Sequence, residues 1–260
     1  MIPERTGPTR TPPPGSRVTV TISGENEWRE TRVRPKDTKE STRRLDRAQR
    51  VELTILAAHD SIIDRAKVSY PVATWGGSPL EVAEKSYLLG LTSNGAVVTM
   101  PDGSAASVGA TRQVLDEHPD FGQRDRVIDA VDSATLRVGA ELPALEAVVL
   151  GWLWQLASLR DRGNADAYKV TVKLRTLRTT NAVEEAVFDV AVDMAKPASV
   201  WTDPSEKLRG TLVVRKAEAW PVAFDVEGSY KMGGVTLEGQ LRKEGRRKLS
   251  IAWSYELPGQ

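Results

Sequence analysis

Apolar and polar residues alternate along most of this chain. From Arg17, the residues Val18, Val20 and Ile22 fall on one side and Thr19, Thr21 and Ser23 on the other, a period of two that predicts a strand. Trp28 to Arg34 reads as a second short strand ended by Pro35. The highly charged stretch from Lys36 to Arg47 reads as helix or loop. Arg50 to Ala57 is rich in Val, Leu and Ile, His59-Asp60-Ser61 reads as a turn, and Ile63 to Val72 alternates again. Tyr87 to Leu91 and Ala96 to Met100 flank Thr92-Ser93-Asn94-Gly95, and Asn-Gly is a strong hairpin signal.

The middle of the chain changes period. Ser107 to His118 predicts a helix with Val108, Val114 and Leu115 as its apolar points, and Arg126 to Val131 predicts a shorter one. Pro143 sits where a first helical residue belongs, and Leu142, Leu145, Val149, Trp152 and Leu156 follow at spacings of three and four. This apolar helix over 142–157 needs a surface to cover it, most simply the concave face of a sheet.

Strands return at Tyr168, with Val170, Val172, Leu174 and Leu177 leading to a loop at Asn181. Val187 to Met194, Leu208 to Val214 and Val222 to Val226 follow. Gly233-Gly234 and Glu244-Gly245 read as two further hairpin turns, before the alternating Leu249, Ile251, Trp253 and Tyr255. Runs of strands either side of a helical segment, with no helix between successive strands, exclude a doubly wound parallel sheet. The expected fold is α+β and mostly antiparallel. It is a strongly curved sheet or open half-barrel, with helices between two meanders and one helix on the concave face.

The first sixteen residues hold Pro3, Pro8, Pro12, Pro13 and Pro14, so residues 1–16 are expected to be a flexible tail. Residues 17–260 then form one β-rich domain with a helical segment at about 105–160. The charges nearly cancel, 36 basic against 35 acidic, which gives no reason to expect nucleic acid as a partner. With no cysteine in the chain, disulfides, thiol nucleophiles and zinc ribbons are excluded. No apolar run approaches the 20 or so residues of a bilayer span, so no transmembrane segment is expected. The N-terminus lacks the apolar core of a signal peptide.

Catalytic chemistry has few candidates. His59 and His118 are the only histidines, and the run Asp116-Glu117-His118-Pro119-Asp120 has no metal-ligand spacing, so no metal and no cofactor are expected. Gly76-Gly77-Ser78-Pro79 resembles a nucleophile elbow without its second glycine, and Pro79 disrupts the helix that should follow. The basic run Arg242 to Lys248 reads as a hairpin tip.

The seven tryptophans are more informative. Trp253 and Trp152 read as core. Trp154 points elsewhere on the helix, and Trp75 beside Gly76-Gly77 reads as loop-borne. A curved sheet that does not close leaves an apolar gap against its helix, so the candidate ligand-binding residues are Trp75, Trp152, Trp154, Leu145 and Val149. Two outcomes are open. Leu145, Val149, Trp152 and Leu156 fill the concavity, or a pocket of at least about 300 Å³ remains beside the helix.

Val187-Phe188-Asp189-Val190, Gly210-Thr211-Leu212-Val213-Val214, Trp220-Pro221-Val222 and Gly228-Ser229-Tyr230 together resemble the strand-and-turn pattern of β-rich bacterial envelope proteins numerous in myxobacteria. Their curved sheet is similar to the half-barrel of lipoprotein carriers. The resemblance implies a non-catalytic binding or structural protein of the cell envelope, with an apolar or lipid-like ligand and a protein partner there. Its location would be periplasmic or at the outer membrane if an export signal has been removed, and cytoplasmic otherwise. The rival expectations are a hydrolase using Ser78 or His118 with the Asp116–Asp120 carboxylates, and a cytosolic protein-interaction module.

Overall fold

The alternation that begins at Arg17 runs unbroken to Val33 in strand β1 (Arg17–Val33), one strand where the sequence suggested two. In the computed structural model, which describes residues 11–59, 62–132, 136–156, 167–194, 202–236 and 239–259, β1 pairs antiparallel along its whole length with β2 (Thr38–His59). The charged stretch 36–47 is therefore strand from Thr38, against the expectation of helix or loop. Its charges pair within β2 and across to β1: Arg44 ion-pairs with Asp46 of the same strand at 2.8 Å and with Glu25 of β1 at 3.6 Å.

The first meander continues through β3 (Ile62–Trp75), the two-residue β4 (Ser78–Pro79), β5 (Ser86–Thr92) and β6 (Gly95–Thr99). Thr92 pairs with Gly95 across the expected hairpin, and the positive φ of 108° falls on Gly95. Trp75 is the last residue of β3, not loop-borne, with the Arg47 guanidinium 5.8 Å from its ring centre.

Three helices follow: α1 (Val108–Glu117), capped by the Ser107 hydroxyl that accepts from the Ala110 amide, α2 (Arg126–Asp132), and α3 (Pro143–Leu156), which opens on the proline as expected. The second meander is β7 (Tyr168–Thr180), β8 (Val183–Met194), β9 (Thr202–Arg215), β10 (Pro221–Thr236) and β11 (Gly239–Glu256). Gly233-Gly234 and Glu244-Gly245 are not turns; they lie inside β10 and β11, so the basic run Arg242–Lys248 is mid-strand and not a hairpin tip. Gly245 lies where its strand comes close to β1: a Cβ on it would stand 2.4 Å from the Glu27 carbonyl oxygen. The same Cβ would stand 2.8 Å from the Trp28 Cβ and 2.9 Å from the Tyr230 ring.

All the strands join one open sheet in the order β6-β5-β3-β2-β1-β11-β10-β9-β8-β7, with β4 on β3, antiparallel throughout and not closed into a barrel. The first and last strands, β1 and β11, meet at its centre in unbroken register from Arg17↔Glu256 to Val33↔Gln240. The helical segment crosses from one sheet edge to the other over the concave face. Its path is anchored where the Leu142 amide donates to Val172 of β7 and the Gly139 amide to Leu174.

Two apolar clusters result. One packs α2 and α3, including the fully buried Leu145, Val149 and Leu153, against Val172, Leu174, Phe188, Leu212 and Phe224. The other packs α1, through Ala110 and Val114, against Val68, Tyr70, Tyr87 and Leu89. Val20 of β1 touches both. Of the sixteen-residue tail, 1–10 lie outside the described residues. Thr11 and Pro12 are buried, and the Gly15 amide donates to the Ile55 carbonyl at 2.8 Å, so this part is packed onto the sheet.

Candidate functional site

Side chains two apart on a strand share a face, and this aligns three apolar rows at the centre of the sheet. Val18, Val20 and Ile22 of β1 lie opposite Leu53, Val51 and Gln49 of β2 on one side. On the other side they face Tyr255, Trp253 and Ile251 of β11. Above this floor the chain linking α1 to α2 passes over, together with Val127 and Ile128 of α2 and Trp152 of α3. Floor and roof enclose a cavity of about 230 Å³ between the two apolar clusters. It is smaller than the 300 Å³ expected of a carrier pocket.

Packing explains the size. Leu145 and Val149 fill the concavity beside β7–β10 and do not line the cavity; among the described side chains of α3, Trp152 borders it. There Trp152 meets Trp253 at 5.2 Å and Phe224 at 5.4 Å between ring centres. Trp220 stacks on Tyr255 at 4.6 Å, and the Tyr255 hydroxyl donates to the Pro221 carbonyl at 3.0 Å. Of the five candidate ligand residues, the structure thus puts Trp152 on the cavity, Leu145 and Val149 in the core behind it, and Trp75 outside its lining. The Trp154 side chain lies outside the described residues.

The opposite wall is polar. Glu117, His118, Asp120 and Asp125 all line the cavity. Glu117, the last residue of α1, ion-pairs with Arg47 at 3.3 Å and accepts from Gln49 at 2.7 Å and Gln113 at 3.2 Å. Burial nonetheless pushes its carboxyl above the usual range, and lowers the neighbouring guanidinium, because desolvation outweighs their mutual attraction. Asp120 pairs with Arg126 at 2.5 Å. Asp125 caps α2, its Oδ1 accepting from the Val127 amide at 2.7 Å and the Ile128 amide at 3.2 Å; burial, with the Asp120 charge adding to it, holds its carboxyl high.

His118 caps the C-terminal end of α1 through its backbone amide. The residue is half-buried, and its ring Nε2 is buried and makes no hydrogen bond among the described residues. Desolvation lowers its pKa to about 4 from the ordinary 6.5, so the ring is neutral at pH 7. In that window the unfolded chain binds a proton that the folded protein refuses. Stability attributable to His118 is therefore lost as pH falls from about 6.5 to about 4, by up to roughly 3 kcal/mol. The raised carboxyls of Glu117 and Asp125 act in the opposite direction, so the measurement is a difference. Urea unfolding of His118→Gln and the unmodified protein at pH 7 and pH 4.5 is expected to show a smaller acid loss in the variant.

Sequence reasoning missed the role of Trp253, Tyr255, Trp220 and the β1–β2 floor. Their alternation was visible, but nothing local said that residues 18–22 and 251–255 would lie side by side. The serine of the incomplete elbow, Ser78, sits exposed in β4 and outside the cavity lining. No helix among the described residues is long and apolar enough to cross a membrane.

No protein-family model and no curated protein matches the chain. Solved structures similar to it include one titled lipid–protein interactions in lipovitellin, at 10% identity and a TM-score of 0.41, covering 95% of this chain. The chain spans 26% of that lipovitellin chain. Also similar are a putative outer membrane lipoprotein-sorting protein domain from Vibrio parahaemolyticus (9% identity, TM-score 0.22, covering 96% of this chain and 88% of that one) and a DUF1329 family protein from Desulfovibrio piger (8%, 0.16, 91% and 86%).

Proposed function

We propose that this is a non-catalytic binding protein of the cell envelope that holds an apolar ligand in the cavity between the centre of its sheet and its helices. The observation that carries the reading is the cavity itself, with aliphatic side chains from β1, β2 and β11 on its floor and the Trp152 and Trp253 rings at one side. An apolar, concave, mostly preformed space is the usual form of a small-molecule site. Its size sets the ligand. A water's share of liquid volume is about 30 Å³, and a methylene is of similar size, so about eight methylenes fit within 230 Å³. At about 0.8 kcal/mol each, their transfer supplies roughly 6 kcal/mol, which is comparable with the cost of association itself. Short single chains therefore bind weakly, and a longer chain gains nothing from carbons that stay outside.

Titrating tryptophan fluorescence with a series of n-alkanols from six to twelve carbons tests this. Affinity is expected to rise about fourfold per methylene and to level off near eight carbons. The absence of a saturable change across the series overturns the reading. Envelope location belongs to the same proposal and is checked by fractionating cells that express the natural gene.

A further inference from the structure

We propose that the cavity selects a single-chain amphiphile with an amine head and discriminates against the carboxylate of a fatty acid; this rests on the cavity being a ligand site. Charge is distributed unevenly around this otherwise apolar space. Three acidic side chains line it, Glu117, Asp120 and Asp125, and among the described residues no lysine or arginine does. The arginines nearest these groups are already engaged: Arg47 with Glu117, and Arg126 with Asp120. The Arg215 guanidinium lies over the Tyr255 ring at 5.6 Å. The one lining residue able to gain a positive charge is His118, and burial keeps it neutral at pH 7.

A carboxylate head placed against this wall finds only arginines that are already held in ion pairs with Glu117 and Asp120, and the low dielectric raises the cost of leaving its charge without a partner. An ammonium head meets the opposite situation. Asp125 has its Oδ1 committed to the two amides at the start of α2, and burial above all, with the Asp120 charge adding to it, disfavours its ionised form. An ammonium beside Asp125 favours its ionised form and offsets that burial, while the alkyl chain lies on Val20, Trp152 and Trp253.

Octylamine, 1-octanol and octanoate share a chain and differ only in the head, so their affinities at pH 7 separate the head from the chain. Isothermal titration is expected to give octylamine at least tenfold tighter than octanoate, with 1-octanol between them. In Asp125→Asn, where asparagine still caps α2, octylamine is expected to weaken about fivefold while 1-octanol is unchanged, which also reports that the cavity has kept its shape. Octanoate binding as tightly as octylamine overturns the proposal, as does an amine preference that survives Asp125→Asn or an alcohol that outbinds the amine. If none of the three binds, the cavity is not a ligand site and both readings fail together.

Discussion

A Gly228→Ala protein is expected to lose at least about 3 kcal/mol of stability and to melt roughly 10 °C lower than its parent. Gly228 lies in β10 opposite Leu208 of β9. A Cβ built on it would stand 1.8 Å from the Lys207 carbonyl oxygen, 2.8 Å from its carbon and 2.9 Å from the Leu208 Cα. All three atoms are backbone within a hydrogen-bonded ladder, so no side chain can rotate away. The approach is reciprocal: a Cβ on Gly210 of β9 would meet the Asp225 carbonyl oxygen of β10 at 1.7 Å. Two glycines thus mark where these strands come closest. Gly90→Ala in β5 is the control, because its new methyl would find only the Val97 Cγ2 at 3.8 Å. Thermal and urea unfolding should leave that variant within about 0.5 kcal/mol of the parent. A Gly228→Ala protein as stable as Gly90→Ala would show that β9 can yield.

The second large effect concerns charge. Arg247 of β11 and Glu206 of β9 are both buried on the inner face of the sheet, with Nε and Oε1 3.7 Å apart. The Tyr168 hydroxyl donates to the other Glu206 oxygen at 3.1 Å, and the Arg247 guanidinium lies 5.7 Å from the centre of the Tyr230 ring. Arg247→Met removes the guanidinium and leaves the carboxylate in low dielectric, at an expected cost of about 3–5 kcal/mol. Glu206→Leu strands the cation at similar cost. The double variant is expected to recover most of the loss, because desolvation of the pair offsets much of its attraction. A double-mutant cycle by urea unfolding decides it; single variants that each cost less than about 1 kcal/mol would show that water reaches the pair.

What the sequence made legible follows from how local each signal was. The α3 helix was readable because Pro143 and the spacing of Leu145, Val149 and Trp152 lie within three turns. The hairpin at Asn94-Gly95 was readable because both strands adjoin it. The stretch 38–47 misled because its strand state is stabilised by β1 across the sheet, not by its own apolar pattern. Gly233-Gly234 and Gly245 misled for a related reason: a glycine marks either a turn or a close approach, and only the packed neighbours distinguish them. The same limit hid the cavity. Trp152 was singled out from its helix, whereas Trp253 and Tyr255 border the space through strand pairing that joins the two ends of the chain.

That pairing has a consequence for how the protein is made. The two meanders are stacks of neighbouring strands, each able to begin forming from local hairpins. Within the sheet they are united through β1 and β11, whose partners are separated by more than two hundred residues. Closing so long a loop is a slow, entropically opposed step, so folding is expected to finish in milliseconds to seconds. During synthesis β1 leaves the ribosome more than two hundred residues before β11 and carries a bare hydrogen-bonding edge until that strand arrives. The charges along Glu25–Arg32 suit that interval, since a nascent edge bearing alternating charge resists pairing with a neighbouring chain.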